Sequence, residues 1–132
     1  MKKQQSGFTL IEMIAVMVVV GILAATALPQ FVDLSDSAED ASINGVAGAL
    51  SSAASLNYAA YLASDAGLAG APAHAPVDSC ADVADAMTSF PAADYTITPD
   101  TAIANAGDTE ECTLQLAADA TVTATFTAIG AP

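Results

Sequence analysis

Gly7-Phe8-Thr9-Leu10-Ile11-Glu12 is the stretch on which the reading of the whole chain turns. Lys2 and Lys3 lie just before it, and an uncharged apolar run, Met13 to Leu28, follows it. As a helix, Phe8 to Leu28 spans roughly 30 Å, the thickness of one bilayer core. The lysines hold the N-terminal side in the cytoplasm, so everything after Pro29 faces outward. An ordinary secretory signal would end in small residues, and Ala24-Ala25-Thr26-Ala27 supplies such a site. Two features weigh against that reading. The apolar run is long for a signal, and Glu12 lies inside it. A carboxylate at that depth costs roughly 2.5 kcal/mol or more unless it sits shallow or finds a partner. A segment that is discarded has no use for such a cost.

The basic leader, the glycine, and the helix carrying one early glutamate together resemble the class III signal and N-terminal helix of type IV pilins and their pseudopilin relatives. The resemblance implies that residues 1–7 are a leader, cut by a prepilin peptidase between Gly7 and Phe8. It implies N-methylation of the new amine on Phe8, and an assembly role for Glu12 opposite that amine on a neighbouring subunit. The physics is plain, because opposite charges in a low-dielectric bundle attract strongly and set axial register. A lone glutamate would instead snorkel to the interface; the complete motif favours the assembly role. Gly21 and Pro29 match the positions bounding a helix break that melts when such subunits leave the bilayer. Taken alone, they weaken or kink a helix. The implied partners are the chain itself as a helical homopolymer, the peptidase, the inner-membrane pilus assembly machinery, and the membrane before assembly. The implied location is the inner membrane for the precursor, then an extracellular filament on a Gram-negative surface.

Charge narrows the field further. The 132 residues suffice for one domain plus an anchor, and they hold 15 acidic side chains against 2 lysines and no arginine. Both lysines are in the leader, so the processed chain has no side-chain cation except His74 when protonated. Nucleic acid is thereby excluded as a partner, since phosphate binding needs Lys or Arg. Internal salt bridges are excluded as well, apart from any made by His74. A polymer of such subunits repels itself unless salt screens it, which points to a marine or otherwise saline setting.

Beyond the apolar segment 8–29, helical periodicity continues over 30–63. Phe31, Leu34, Ala38, Ala41, Val46, Ala49, Leu50, Ala53, Leu56, Ala60 and Tyr61 recur on one face, with Asp33, Asp36, Glu39, Asp40, Ser52 and Ser55 opposite. Ser35-Asp36-Ser37 would cap a new helix after a break, and Gly45 and Gly48 lower local propensity. One long helix, bent or interrupted, is expected to pack its second half under a small head, residues 64–132. Gln30-Phe31-Val32-Asp33-Leu34, Gly45 to Leu50 and Ser55 to Tyr58 resemble the mannose-sensitive haemagglutinin (MSHA) subfamily of these pilins.

The head begins with a loop, 64–79, punctuated by Gly67, Gly70, Pro72 and Pro76, in which His74 reads as solvent-exposed. Cys80 to Met87 suits one or two helical turns. Alternation predicts strands at 95–98, 112–116 and 121–129, with a hairpin turn at Ala117 to Ala120. Val122, Ala124, Phe126 and Ala128 fall on one side of the last strand and threonines on the other. The expected class is α+β, the pilin fold, with a long N-terminal helix packed on a small antiparallel sheet.

Cys80 and Cys112 are the only cysteines. An oxidising compartment makes pairing the default, and no C-x-x-C redox motif is present. In type IV pilins a disulfide commonly fastens a C-terminal segment, and the resemblance carries that role to this pair. Asp108, Glu110 and Glu111 crowd the loop Asn105 to Glu111. Hard cations bind such oxygen clusters, and major pseudopilins carry a calcium site in a late loop. A solvated acidic turn is the favoured reading, so neither metal nor cofactor is expected. No nucleophile sits beside a base and no phosphate-cradling glycine motif occurs, which argues against an enzyme. The resulting expectation is a major pilin serving attachment and biofilm formation, with a pseudopilin of type II secretion as the alternative.

Overall fold

One helix, α1 (Leu10–Asp65, 56 residues), organises the chain. The computed structural model describes the backbone of residues 8–132, and the side chains of all of these except 28–33. The expectation of a leader ending at Gly7 lies outside the described residues, as does that of an inward side chain at Phe31. The chain divides into two units, Met1–Ala38 and Glu39–Pro132, and α1 contributes to both.

In the first unit, Leu10–Ala27 is a window of mean hydropathy 2.5, long and apolar enough to cross a membrane, and none of it is buried by the rest of the chain. Phe8, Ile11 and Met17 are all more than two-thirds exposed. α1 runs unbroken through Gly21 and Pro29 in the single chain, whereas the break expected between them belongs to a subunit that has left the bilayer. The hydroxyl of Thr26, between them, donates to the carbonyls of Ile22 and Leu23 at 3.2 and 3.0 Å. Such back-bonding gives these two carbonyls a second partner.

In the second unit, the buried stripe of α1 is Ile43, Ala47, Leu50, Ala54 and Asn57, an alternating four-three spacing. This corrects the expected face. Leu50 and Ala60 are buried as expected, but Leu34, Ala38, Ala41, Ala49 and Leu56 are exposed. The cause is composition. Alanine recurs on every side of this helix and marks no face, whereas burying Ile43 removes far more apolar surface from water.

The sheet has the order β1 (Tyr95–Ile97), β2 (Thr109–Leu116), β3 (Thr123–Ile129), all antiparallel, with Cys112 opposite Phe126 and Leu114 opposite Ala124. Period-2 alternation buries Ala124, Phe126 and Ala128 and exposes Thr123, Thr125 and Thr127, as the sequence predicts. β2 starts three residues earlier than expected, taking Glu110 and Glu111 out of the acidic loop and into the strand. The inward side chains of the sheet, Tyr95, Leu114, Ala124, Phe126 and Ala128, join α1 in one core with Val77, Val83 and Ile103. Two polar contacts tie helix to sheet. The Thr127 N–H donates to the Ser51 hydroxyl at 3.1 Å, and the hydroxyls of Ser42 and Tyr95 share a hydrogen bond of 2.6 Å.

Two clamps hold the irregular segments. Cys80 and Cys112 form a disulfide, with both residues buried and their Cα atoms 5.8 Å apart. It anchors the short 3₁₀ helix Ala81–Ala86 to β2. The second clamp is Asn57, the one buried polar side chain of the core face. Its amide donates to the Ala75 carbonyl and accepts from the Ala75 N–H, both at 2.8 Å, as a strand neighbour would. Next to it, His74 is half-buried with its ring edge-on to Tyr61 at 5.3 Å, so it is not the free loop residue that its alanine and proline neighbours suggest. Gly107 has φ +81°, and a Cβ there would lie 2.6 Å from the Tyr58 hydroxyl, so both backbone and space demand glycine. In the β2–β3 turn, the Thr121 N–H and hydroxyl both donate to Asp119, holding its carboxyl below the usual aspartate range.

Two outcomes are expected in chemical denaturation of the detergent-solubilised chain. Asn57→Leu strands the Ala75 N–H and carbonyl and lowers stability by about 1–3 kcal/mol. Replacing both Cys80 and Cys112 by serine frees a loop of about 30 residues and lowers it by about 3–4 kcal/mol.

Candidate functional site

The site is the first turn of α1. Thr9 precedes the helix as its N-cap, and Glu12 is the acidic residue of the first turn. The Thr9 N–H donates to Glu12 Oε2 at 2.9 Å and the Thr9 hydroxyl donates to the same oxygen at 2.7 Å. In return, the Glu12 N–H donates to Thr9 Oγ1 at 3.4 Å. This is a capping box, in which side chain and backbone satisfy each other's orphan groups. The helix N-terminus adds its partial positive charge, which favours a carboxylate there.

The arrangement has a chemical consequence. A glutamate entering an apolar slab needs donors, and Thr9 supplies two from within the chain. Both converge on Oε2. Among the described residues no hydrogen bond reaches Oε1, which leaves an acceptor for a donor from elsewhere. Phe8, the residue expected to carry a free amine, stands 82% exposed immediately before the cap. Gly7 lies outside the described residues. Thr9 is the functional residue that sequence reasoning passed over. The signal was present as Thr9-Leu10-Ile11-Glu12, the T-x-x-E pattern ahead of an apolar run.

The acidic residues of the head do not gather in the same way. Glu110 and Glu111 are successive residues of β2, so the pleat sends them to opposite faces. The Asp108 carboxylate accepts from the Asn105 amide at 2.8 Å. Asp108 and Glu110 share the lining of a shallow cavity of about 490 Å³ that does not include Glu111. Among the described residues, no group of three His, Cys, Asp or Glu side chains is placed to hold a metal ion.

A family model for the prokaryotic N-terminal methylation motif matches residues 2–28. The Type IV narrow pilus major component PilA5 of Thermus thermophilus is 53% identical over 47 residues, 36% of this chain and 40% of that protein. Over that stretch the chain is similar to a type IV pilin. The Type II secretion system core protein G of Pseudomonas aeruginosa is also 53% identical, over 38 residues, 29% of this chain and 27% of that protein. The matches thus span less than half the length of either relative. Both relatives are structural components and neither is an enzyme. No solved structure matches the chain. The α+β pilin architecture rests on the long helix with its apolar start and on the three-stranded sheet.

Thr9→Val removes the hydroxyl that joins both halves of the capping box. Loss of such a cap costs about 0.5–2 kcal/mol, so amide exchange at Glu12 in detergent micelles is expected to quicken by roughly 2- to 30-fold. Exchange beyond the second turn of α1 is expected to stay unchanged.

Proposed function

We propose that this chain is the major structural subunit of a type IV pilus, cut between Gly7 and Phe8, N-methylated on Phe8, and polymerised through its apolar helix into a surface filament. The observation that carries the reading is the pairing of Glu12, capped by Thr9, with an apolar span that the chain itself leaves wholly uncovered. A span like that has two stable surroundings, lipid or copies of itself. In the bilayer, the capping box offsets part of the cost of the carboxylate. In a polymer, the amine of a neighbouring Phe8 takes up the remaining acceptor capacity of Glu12 and fixes the stagger of one helix against the next. Withdrawal from lipid then falls hardest on the turn between Gly21 and Pro29, where the helix has the fewest backbone hydrogen bonds to lose.

The inner membrane of a Gram-negative cell for the precursor, its surface for the filament, and attachment or biofilm formation as the use all follow from this reading. So do the prepilin peptidase and the assembly machinery as partners. The finer resemblance to the MSHA subfamily rests on the residues of 30–58 alone. A second reading, a pseudopilin of a type II secretion system, is favoured by the likeness to core protein G.

Mass spectrometry and electron microscopy of material sheared from cells separate the two. The pilus reading expects long filaments whose subunit begins with N-methyl-Phe8 and is two hydrogens lighter for the disulfide. A processed subunit that stays in the membrane without filaments is the pseudopilin outcome. Glu12→Ala is expected to reduce incorporated subunit by at least roughly tenfold, since breaking a buried charge pair costs about 3–5 kcal/mol. Filaments of undiminished yield would remove Glu12 from the mechanism.

A further inference from the structure

Charge restricts where two copies of this chain can touch. The processed chain carries 15 carboxylates and no Lys or Arg, and most of the carboxylates lie in the unit Glu39–Pro132. Contacts between heads therefore have no side-chain ion pairs to draw on, apart from any made by His74. Any carboxylate they cover is buried without a partner. Docking therefore favours apolar surface whose neighbouring carboxylates can stay in water at the rim of the contact.

The head has such a surface. A groove of about 740 Å³ lies along α1, bounded by Pro72-Ala73 on one side and by Ala86 to Ser89 on the other, and no ionisable residue lines it. Its floor is the apolar stripe of α1 that does not face the core. Ala49, Ala53 and Leu56 lie there, Leu56 being 71% exposed, and Met87 forms part of the wall.

The same head carries an apolar knob. Leu62 and Leu68 are exposed at the C-terminal end of α1, Leu68 by 62%. Leu68 sits on a fixed turn. The Gly67 N–H donates to the Ser64 carbonyl and the Leu68 N–H to that of Ala63, with Gly67 at φ +68°, the Schellman arrangement. A knob held in this way gives up little freedom on docking. The carboxylate between the two leucines in sequence, Asp65, is exposed. Leu68 is absent from the lining of the groove of its own chain. Knob and groove are thus different surfaces of one molecule, and such heterologous contacts propagate into open helical assemblies.

We propose that Leu68, flanked by Leu62, of one subunit seats over Leu56 and Met87 in the groove of the next copy, forming the head-to-head contact of the polymer; this rests on the polymer reading above. A chain carrying both Leu68→Cys and Leu56→Cys, expressed in the filament-forming cell, tests it. Mild oxidation of sheared filaments is expected to give a ladder of covalent multimers on non-reducing gels, and neither single variant gives one. Double-cysteine filaments that stay monomeric after oxidation would overturn the contact. Leu68→Asp, an exposed change, gives a second measurement. Filament yield is expected to fall at least about tenfold while processed subunit accumulates in the membrane, and Leu68→Met restores assembly. Leu68→Asp filaments at the parental yield overturn the docking and leave the polymer reading intact. A parental chain that forms no filament overturns the polymer reading itself.

Discussion

The constraint on which the structure depends is an acid with no base. Apart from Lys2 and Lys3, the chain has carboxylates on α1, the 3₁₀ segment, β2 and the loops between them and, save for His74, no side chain able to neutralise them. Glu12 meets this constraint most sharply, because it enters the apolar span. Its solution is local: a threonine three residues upstream donates twice to one carboxylate oxygen. The same solution recurs through the head at lower stakes. Asp119 is served by Thr121, Asp82 by Ser79 and the Asp78 N–H, Asp108 by Asn105, and Asp100 by the Ala81 N–H. Hydroxyls, amides and backbone N–H groups do here what lysine and arginine do elsewhere.

The same shortage shapes how the head is held together. Its core is small, with alanine at many inward positions, so burial per residue is modest. Ion pairs cannot make up the difference. A disulfide from the 3₁₀ segment to the central strand supplies it, with an asparagine that pins the Ala75 backbone from the helix. The chain end is paired with Val77, whose N–H and carbonyl exchange hydrogen bonds with Ala131. Each of these clamps crosses between segments far apart in sequence. Together they tie down the long irregular stretch 66–94 without any helix longer than six residues in it.

Much of this was legible in the residues. The helix, its uncovered apolar start and the alternation of β3 have signals that depend on spacing alone, and the pairing of the two cysteines follows from an oxidising compartment and the resemblance. What could not be read has a common cause. Periodicity locates a buried face only when apolar and polar residues differ clearly, and alanine blurs that difference. The result was a face assigned through Ala49 and Leu56 in place of Ile43, Ala47 and Ala54. Contacts between distant parts of the chain were equally hidden, since nothing near Asn57 in sequence announces Ala75 and nothing near His74 announces Tyr61. The start of β2 was missed because glutamates read as loop. Glu110 pairs with Ala128 and Glu111 with Thr127, and cross-strand pairing outweighed local preference.

The misassigned face is itself informative. A helix with one apolar stripe needs one neighbour, and the second half of α1 has two such stripes. The stripe through Ile43, Leu50 and Ala54 is satisfied by the sheet of the same chain. The stripe through Ala49, Ala53 and Leu56 is left facing the groove. Apolar side chains on a surface this acidic have a second effect besides their own burial. They are the places where two like-charged molecules can approach without covering a carboxylate, and screening by salt lowers the remaining repulsion between the surrounding charges. The groove and the uncovered span at Leu10–Ala27 therefore answer to one physical requirement, apolar contact in a molecule that cannot pair its charges.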